Sequence, residues 1–360
     1  MEPGKGGERV TLKMIAEKAG TSIGTVDRAL SNRGGISEKT KARVMEVARD
    51  MGYRTNLFAS ALSRKRVLRL GLVYPVHPRG FYRFIDQGVD KAAGELESYG
   101  VQVEKLQYAM QDPAEQSDLL RRADLTRFDG LAINAAGASA LEPLQELARR
   151  GVPLITFNTD AVDLPRLFFV GNNSHQSGRM GAELLFRLMG GRGFATVLGN
   201  FSQATPFSER FGGFCEVLRA DYPSIQLYPC LDCLSRPELA TKYLRDLLAR
   251  VPELGGVFCT GYSSTVGALE ALRAANRKDI VLIGYDVGEE TAAALREGWC
   301  DALLYQDPYQ QGYQAPRLLA RHLLEGWLPP QPKLHIETRI ILKSNLEAYC
   351  DDAPRWDMSL

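Results

Sequence analysis

The chain has 360 residues, of which 45% are hydrophobic and 24% are charged, with 44 Lys and Arg against 43 Asp and Glu. This is the composition of an ordinary globular protein with two or three domains. The sequence contains no run of 18 uncharged apolar residues, which excludes a transmembrane helix. The N-terminal segment also lacks the apolar stretch of a secretory signal peptide, so we expect a cytoplasmic protein with no membrane partner.

The six cysteines all lie in the second half of the chain, and a cytoplasmic protein would keep them reduced. Cys230 and Cys233 form a Cys-x-x-Cys pair. No second pair or nearby histidine completes the four ligands of a structural zinc site. We therefore expect neither a metal nor a cofactor, and we interpret the pair as incidental loop thiols, with a thioredoxin-like redox pair as the alternative.

The nearly neutral net charge hides two segments of opposite sign. Residues 1–66 contain 14 basic and 7 acidic side chains, whereas the remainder contains 30 basic and 36 acidic side chains. A small basic head on an acidic body suggests that the head binds a polyanion and the body does not.

Three short helices are predicted in the basic head. The first lies between an N-cap at Thr11 and a stop at Gly20. Its apolar face consists of Leu12, Ile15, Ala16 and Ala19. A second helix over Ile23–Leu30 and a third that opens at Ser37 and ends at Gly52 follow. Two short helices joined by a glycine-containing turn are typical of a helix-turn-helix.

The second helix of a helix-turn-helix enters the DNA major groove by its N-terminal end. Ser22 and Thr25 stand where they can hold phosphates, and Ile23 can touch a thymine methyl group. Arg28 can reach a guanine edge or a phosphate. The alternative is a small helical module for protein interaction.

The segment VTLKMIAEKAGTSIGTVDRALSNRGGISEKTKARVMEVARDMGYRTNLFASALSRKR resembles the DNA-binding head of the LacI/GalR transcription regulators over about sixty residues. The resemblance implies that residues 56–63 form a hinge helix on DNA, whose leucine wedges into the minor groove and whose alanine lets two hinge helices pack. It also implies that Gly24 stands where relatives carry a base-reading side chain, so the operator sequence does not transfer. The DNA-contacting positions are then Thr11, Ser22, Ile23, Gly24, Thr25, Arg28, Asn32, Asn56, Ala59 and Leu62.

From residue 67 onward, near-continuous apolar strands alternate with amphipathic helices. This pattern predicts parallel sheets covered on both faces. Two such series, the second starting near Asn172, indicate two lobes with a ligand at the strand carboxyl ends. The predicted architecture is a small all-α helix-turn-helix head followed by an α/β body of two doubly wound lobes. The helix after the first strand is predicted at 85–99, which leaves Phe81 and Tyr82 in a loop.

The body resembles type I periplasmic sugar-binding proteins and the effector domains of the same regulators. The resemblance implies chain crossings between the lobes near 158–160, 286–288 and 325–332. The expected divisions are a head at 10–54, a hinge and linker at 55–66, lobe 1 at 67–158 and 289–325, lobe 2 at 161–286 and 333–343 within a body that ends at 345, and a tail at 346–360.

The same resemblance implies ligand contacts at Phe81, Tyr82, Asn158, Arg210, Asp286 and Gln306. The aromatic pair would stack on a sugar ring, with core packing as the alternative. Asp286, at the end of an apolar strand, would accept bonds from adjacent hydroxyl groups. Arg79 stands beside the aromatic pair, and a second guanidinium near Arg210 would favour a carboxylate or phosphate, so we hypothesise a sugar acid or phosphorylated polyol.

The sequence contains no HExxH, GxSxG or GxxxxGK[ST] motif, and we expect no enzyme activity. The prediction is a transcription regulator, with repression as the family's usual mode, controlled by a sugar, polyol or sugar acid. Its partners would be operator DNA and a second copy of the chain, because two hinge helices and two half-sites require a homodimer. A solute-binding protein of a transport system is the alternative.

Overall fold

The computed structural model describes residues 10–30, 35–51, 67–109, 114–135, 141–161, 163–200 and 205–350. The helices of these segments are α1 (Leu12–Ala19), α2 (Ile23–Leu30), α3 (Glu38–Asp50), α4 (Arg79–Glu97), α5 (Ala114–Arg122), α6 (Leu141–Arg149), α7 (Ser174–Leu188), α8 (Thr205–Asp221), α9 (Pro237–Arg250), α10 (Tyr262–Ala274), α11 (Glu289–Glu297) and α12 (Pro308–Glu325). The strands are β1 (Leu68–Pro75), β2 (Val101–Tyr108), β3 (Gly130–Ile133), β4 (Leu154–Phe157), β5 (Phe169–Gly171), β6 (Gly193–Gly199), β7 (Ile225–Leu227), β8 (Leu231–Asp232), β9 (Leu254–Cys259), β10 (Val281–Tyr285), β11 (Ala302–Tyr305), β12 (Lys333–His335) and β13 (Arg339–Ile341).

The head forms the predicted helices. Thr11 caps α1 by accepting a hydrogen bond from the Met14 backbone N–H at 3.3 Å. Gly20 ends α1 with a left-handed φ of 64°, a conformation that glycine adopts without steric cost. One small core is shared by the three helices, and its buried members are Ile15, Ala16, Ala19, Val26, Ala29, Val44 and Ala48.

Two sheets form the body. The first has the strand order β12-β5-β4-β3-β1-β2, and its neighbouring strands pair in parallel. The second has the order β13-β11-β10-β9-β6-β7, with β8 beside β6 and only the β11–β13 pairing antiparallel. Because helices cover these parallel strands, the strands are buried and the polar side chains gather at their ends. The predicted fold class is confirmed.

The expected crossings between the lobes are wrong. Strand β5 pairs with β4, so the chain stays in lobe 1 beyond 158–160 and leaves it only after Gly171. Strand β11 pairs with β10, so 289–305 belongs to lobe 2, and the second crossing lies between β11 and α12 rather than at 286–288. Strand β12 pairs with β5 and β13 with β11, which moves the third crossing from 325–332 to the residues between these strands. Strands as short as β5, β12 and β13 carry too few residues to show a period in the sequence.

Two further boundaries differ from the prediction. Helix α4 begins at Arg79, directly after Pro78, so the aromatic pair lies in its first turn and not in a loop. The body also continues past residue 345, because Leu346 is fully buried in the lobe 2 core and Tyr349 packs edge-on against Tyr305 at 5.2 Å. The segment beyond residue 350 and the expected hinge at 55–66 lie outside the described residues.

The Cys-x-x-Cys pair flanks strand β8. The Cys233 thiol is buried and donates to the Gly199 carbonyl at 3.1 Å. Burial raises the pKa of both Cys230 and Cys233 to about 12. A thiol with such a raised pKa is a poor nucleophile, which argues against the redox alternative.

Candidate functional site

The N-terminal end of α2 presents an exposed surface. The Ser22 hydroxyl accepts from the Thr25 N–H at 3.1 Å and so caps the helix. Ile23 is 49% exposed at the first position of the helix, which is unusual for a large apolar side chain. The Arg28 guanidinium folds back along α2 and donates from Nε to the Gly24 carbonyl at 3.1 Å. The N-terminal half of α2 therefore carries an exposed apolar side chain, hydroxyl groups and a guanidinium.

Four of the predicted DNA-contacting residues, Asn32, Asn56, Ala59 and Leu62, lie outside the described residues, and their roles stay predictions. The Thr11 hydroxyl caps α1, and this position does not test whether Thr11 also contacts DNA. The DNA role of Thr11 therefore stays a prediction as well.

Lobe 2 contributes an acceptor and a donor that are held by one glutamine. Asp286 follows β10 with a left-handed φ of 62°, which turns the chain at the strand end. Its two carboxylate oxygens accept from the Gln306 backbone N–H at 3.2 Å and from Gln306 Nε2 at 2.7 Å. The Oε1 atom of the same Gln306 accepts from Arg210 Nη2. The Gln306 amide therefore bridges the carboxylate and the guanidinium.

The Arg210 guanidinium is almost fully buried between two aromatic rings. It lies 4.3 Å from the centroid of the Tyr285 ring and 5.5 Å from that of Phe207, and Nη1 donates to the Thr260 carbonyl. Its Nε and the Thr260 hydroxyl are buried without a hydrogen-bond partner. A buried donor without a partner is costly, so these atoms are suited to a ligand. Gly261 leaves room for the ring of Phe207, because a Cβ at Gly261 would lie 2.6 Å from that ring.

The Asp286 carboxyl group is perturbed by its surroundings. Burial is the largest influence and raises its pKa from 3.8 to about 6, although Arg210 and the bonds from Gln306 oppose the rise. The group is 2% exposed. A carboxylate buried in this way gains stability from any further hydrogen-bond donor, such as a ligand hydroxyl.

Lobe 1 contributes a row of amides that faces this pair. Asn158 follows β4 with a left-handed φ of 59°, and its Oδ1 accepts from Asn134 Nδ2 at 2.8 Å. Asn158 Nδ2 donates to Gln311 Oε1 at 2.9 Å. Asn134 Nδ2 also lies 3.4 Å from the Tyr82 hydroxyl, and Asn134 Oδ1 is buried without a partner. The cleft therefore combines donors and acceptors from both lobes.

Four of the predicted ligand residues belong to these two polar groups, and so does Tyr82. The two groups interact electrostatically, because Arg210 and Asp286 both influence the pKa of Tyr82. Phe81 packs edge-on against Tyr82 with ring centroids 5.1 Å apart and is a member of the lobe 1 core, which is the alternative considered for this pair. Arg79 is exposed at the first residue of α4, whereas Arg210 is buried. The structure therefore does not bring the two guanidinium groups into one buried site.

The sequence analysis missed several polar residues of the cleft. Asn134 follows β3 and Asn172 follows β5, so the rule that ligand groups stand at the carboxyl ends of parallel strands would have found both. Gln311 gave no such signal, because it lies inside α12, a helix that the sequence analysis did not predict. Thr260 directly follows β9, so the same rule would have found it.

The lobes also touch at Tyr262, the first residue of α10. Its hydroxyl donates to Glu290 in lobe 2, and its ring occupies the space beside Gly80 of lobe 1 and Gly288 of lobe 2. A Cβ at Gly80 would lie 2.4 Å from Tyr262 Cζ. Only glycine permits this close approach.

Two family models match the chain. The model described as "Periplasmic binding protein domain" matches residues 70–326, and the model described as "Bacterial regulatory proteins, lacI family" matches residues 11–56. The first match covers most of the chain and corresponds to the two lobes, and the second corresponds to the basic head. The chain belongs to the LacI family of bacterial regulators.

Two similar transcription regulators support the same assignment. The regulator is 28% identical over 212 residues to the HTH-type transcriptional regulator DegA of Bacillus subtilis, an alignment that spans 58% of this chain and 61% of DegA. It is 24% identical over 338 residues to the HTH-type transcriptional regulator RegA of Clostridium saccharobutylicum, spanning 92% of this chain and 97% of RegA.

The body also matches solved structures. It superposes on GanP, a glucose-galactose binding protein from Geobacillus stearothermophilus, with a TM-score of 0.72 and 22% identity over 78% of this chain and 99% of GanP. At this identity the likeness shows the fold and not the ligand. The chain is thus a DNA-binding transcription regulator whose body has the periplasmic-binding-protein fold. Among the described residues, no helix has the length and apolar character needed to cross a membrane.

Proposed function

We propose that the regulator binds operator DNA as a homodimer and acts as a repressor, and that an uncharged polyhydroxyl effector between its lobes controls the affinity for DNA. The observation that carries the proposal is the convergence of Asn158, Arg210, Asp286 and Gln306 in hydrogen-bonded groups at strand ends of both lobes. Such convergence of donors and acceptors is typical of a ligand site in a two-lobed protein. Acting on chromosomal DNA would place the regulator in the cytoplasm.

The charge of the cleft supports an uncharged effector. Arg210 and Asp286 share the amide of Gln306, so the guanidinium has a carboxylate close to it. An anionic ligand group at Arg210 would meet that carboxylate, whereas hydroxyl groups can donate to Asp286 and accept from Arg210 Nε. The exposed Arg79 does not add a second cation to the buried site. Sugar acids are therefore the second ligand class that the screen tests.

The ligand screen uses the full-length regulator in a thermal-shift assay with neutral sugars, polyols, sugar acids and sugar phosphates. A ligand present at a hundredfold over its Kd adds roughly 2.7 kcal/mol to the stability of the folded state. We expect a neutral hit whose affinity Asp286→Asn weakens. The matched control is Asp301→Asn, which removes a carboxylate that accepts from Leu282 N–H at the opposite end of β10 and leaves the cleft unchanged. A hit that is anionic and lost on Arg79→Ala would reverse the choice of ligand class.

The DNA interface is tested by selecting duplexes from a random pool with the full-length regulator. We expect palindromic sites, because a symmetric dimer reads two half-sites. Arg28→Ala should lower the affinity for the selected site by about tenfold, as a loss of roughly 1–3 kcal/mol for a base contact predicts. The control is Lys18→Ala at the end of α1, which should change the affinity for the selected site and the affinity for random DNA by the same factor. Recovery of unrelated sequences without symmetry would contradict the proposal.

Sedimentation equilibrium of the full-length regulator tests the homodimer. We expect twice the mass of 39.8 kDa without DNA, and that mass plus the mass of one duplex when the selected site is added. A monomer that binds one half-site with full specificity would contradict this part of the proposal.

A further inference from the structure

A continuous chain of side-chain amides runs from the cleft to the crossovers between the lobes. Asn134 donates to Asn158, Asn158 donates to Gln311, and Gln311 Nε2 donates to Asn172 Oδ1 at 2.8 Å. Asn172 Nδ2 then donates to the Ile336 carbonyl at 2.8 Å. We call these four side chains the amide relay. Each of them passes its N–H to the carbonyl oxygen of the next, so the relay has one direction.

The end of the relay joins the first and third crossovers. Asn172 directly follows β5, and the residues it contacts, Ile336 and Thr338, lie between β12 and β13. The Ile336 backbone N–H also donates to the Gly171 carbonyl at 2.8 Å. Gln311 Nε2 donates in addition to the Gln306 carbonyl at 2.9 Å, at the second crossover. The relay therefore connects the cleft to each of these passages of the chain.

The direction of the relay is locked at the crossovers. An amide that turns by 180° exchanges its donor and acceptor, so its neighbour must turn as well. Asn172 cannot turn without placing its oxygen against the Ile336 carbonyl, and Gln311 cannot turn without doing so against the Gln306 carbonyl. Both groups are buried, where an unmatched pair of acceptors is costly. The crossovers consequently dictate how the amides in the cleft are oriented.

We propose that Gln311 and Asn172 are positioning residues, which hold the amides of Asn134 and Asn158 in one orientation and transmit a change at these amides to the crossovers. The relay leaves Asn134 Oδ1 as a buried acceptor without a partner. It therefore selects a ligand group that donates a hydrogen bond at this point, such as a hydroxyl. The inference rests on the proposed function, because the relay includes Asn158, a residue proposed to contact the effector.

Hydrogen exchange of the full-length regulator without effector tests the relay. Asn158→Asp keeps the size of the side chain and its tolerance of a left-handed φ but replaces the donor to Gln311 by an oxygen. Gln311→Met removes both donors and the acceptor at nearly the same volume. We expect each variant to speed amide exchange in the peptide spanning 336–338 by about fivefold, the value of one net hydrogen bond.

The double variant separates transmission from local packing. If both changes break one relay, the double variant exchanges no faster at 336–338 than the faster single variant. The matched control is Asn200→Asp, in a buried amide of lobe 2 that donates to Ser235 outside the relay, and it should leave 336–338 unchanged. Unaltered exchange at 336–338 in Asn158→Asp, or effects that multiply in the double variant, would overturn the proposal. These outcomes need no effector, so they are independent of the ligand screen.

Discussion

Replacing Asp286 by Asn should stabilise the regulator at neutral pH although it alters a proposed ligand contact. Burial raises the pKa of Asp286 from 3.8 to about 6 in the folded state. The folded state therefore binds this proton more tightly than the unfolded state, and its stability falls as the pH rises between about 4 and 6. Above that window, keeping the carboxylate ionised costs about 3 kcal/mol, the equivalent of the difference between the two pKa values. Asn has nearly the same shape and carries no charge to bury.

The assay compares urea unfolding of the full-length protein and of Asp286→Asn at pH 4.5 and 7.5. Trp299 and Trp327 pack against the cores of the two lobes, so their fluorescence follows the unfolding of the body. The free energy of unfolding of Asp286→Asn minus that of the natural sequence should be about 2 kcal/mol larger at pH 7.5 than at pH 4.5. Comparing two pH values removes the constant cost of any altered hydrogen bond to Gln306, which is the same at both.

The control for this experiment is Asp279→Asn, the same chemical change at an exposed carboxylate. The bond from Arg277 lowers the pKa of Asp279, so its contribution to stability has the opposite sign and is small at the surface. Parallel pH dependences for the natural sequence and Asp286→Asn would refute the reasoning, because they would mean that burial does not penalise this charge.

Three further substitutions test the packing of particular residues, each by chemical denaturation. Gly80→Ala should cost about 1–3 kcal/mol because its methyl group would collide with the ring of Tyr262, whereas Gly94→Ala on the open face of the same helix should stabilise by about 1 kcal/mol; equal effects would contradict the close contact of the lobes. Gly312→Ala should be more destabilising than Gly80→Ala, because its Cβ would lie 2.1 Å from a backbone oxygen of α4. A neutral result would refute the tight pairing of α4 with α12. Thr11→Ala should destabilise the head by about 1 kcal/mol through loss of the α1 cap, which circular dichroism of head helicity follows, and Thr11→Ser should restore it.

The head and the central strands of the body could be predicted because their signals are local. An apolar stripe at Ile15 and its helical neighbours, a cap at Thr11 and a stop at Gly20 each act within a few residues. The strands β1, β9 and β10 are short apolar runs of the kind that the sequence analysis expects from residue 67 onward. Where the determinant of structure lies in adjacent residues, the sequence is sufficient.

Helix α12 shows why the remainder could not be predicted. It contains Pro316 in its interior and Gly312 near its middle, and both residues argue against a helix. The structure explains the glycine, because α12 packs so closely on α4 that Gly312 meets the Ile85 carbonyl and Gly88 meets the Tyr309 carbonyl. This contact forms between segments more than 200 residues apart in the chain. Local preference is overridden there by tertiary packing.

The ligand residues illustrate the same division. Asp286 and Asn158 could be placed because each ends an apolar strand, where side chains of parallel sheets converge. Arg79 was chosen for its nearness in sequence to the aromatic pair, but it is the first residue of α4, where it is exposed while Tyr82 is buried. Gln311 could not be placed in this way, because it lies inside α12 and reaches the cleft only through the packing of that helix.

The titration of Asp286 offers a direct way to decide the charge of the effector. A neutral polyol that donates a hydroxyl hydrogen to the carboxylate requires Asp286 ionised, so its affinity should fall by about tenfold per pH unit below the pKa of about 6. An anion bound at Arg210 would instead be repelled by the ionised carboxylate, and its affinity should fall as the pH rises above that value. Calorimetric titration of the hit at pH 5 and pH 7.5 separates the two, provided the hit itself does not titrate between them. Asp286→Asn should remove the dependence in either case; a dependence that persists in this variant would mean that another group carries it and that Asp286 does not contact the effector.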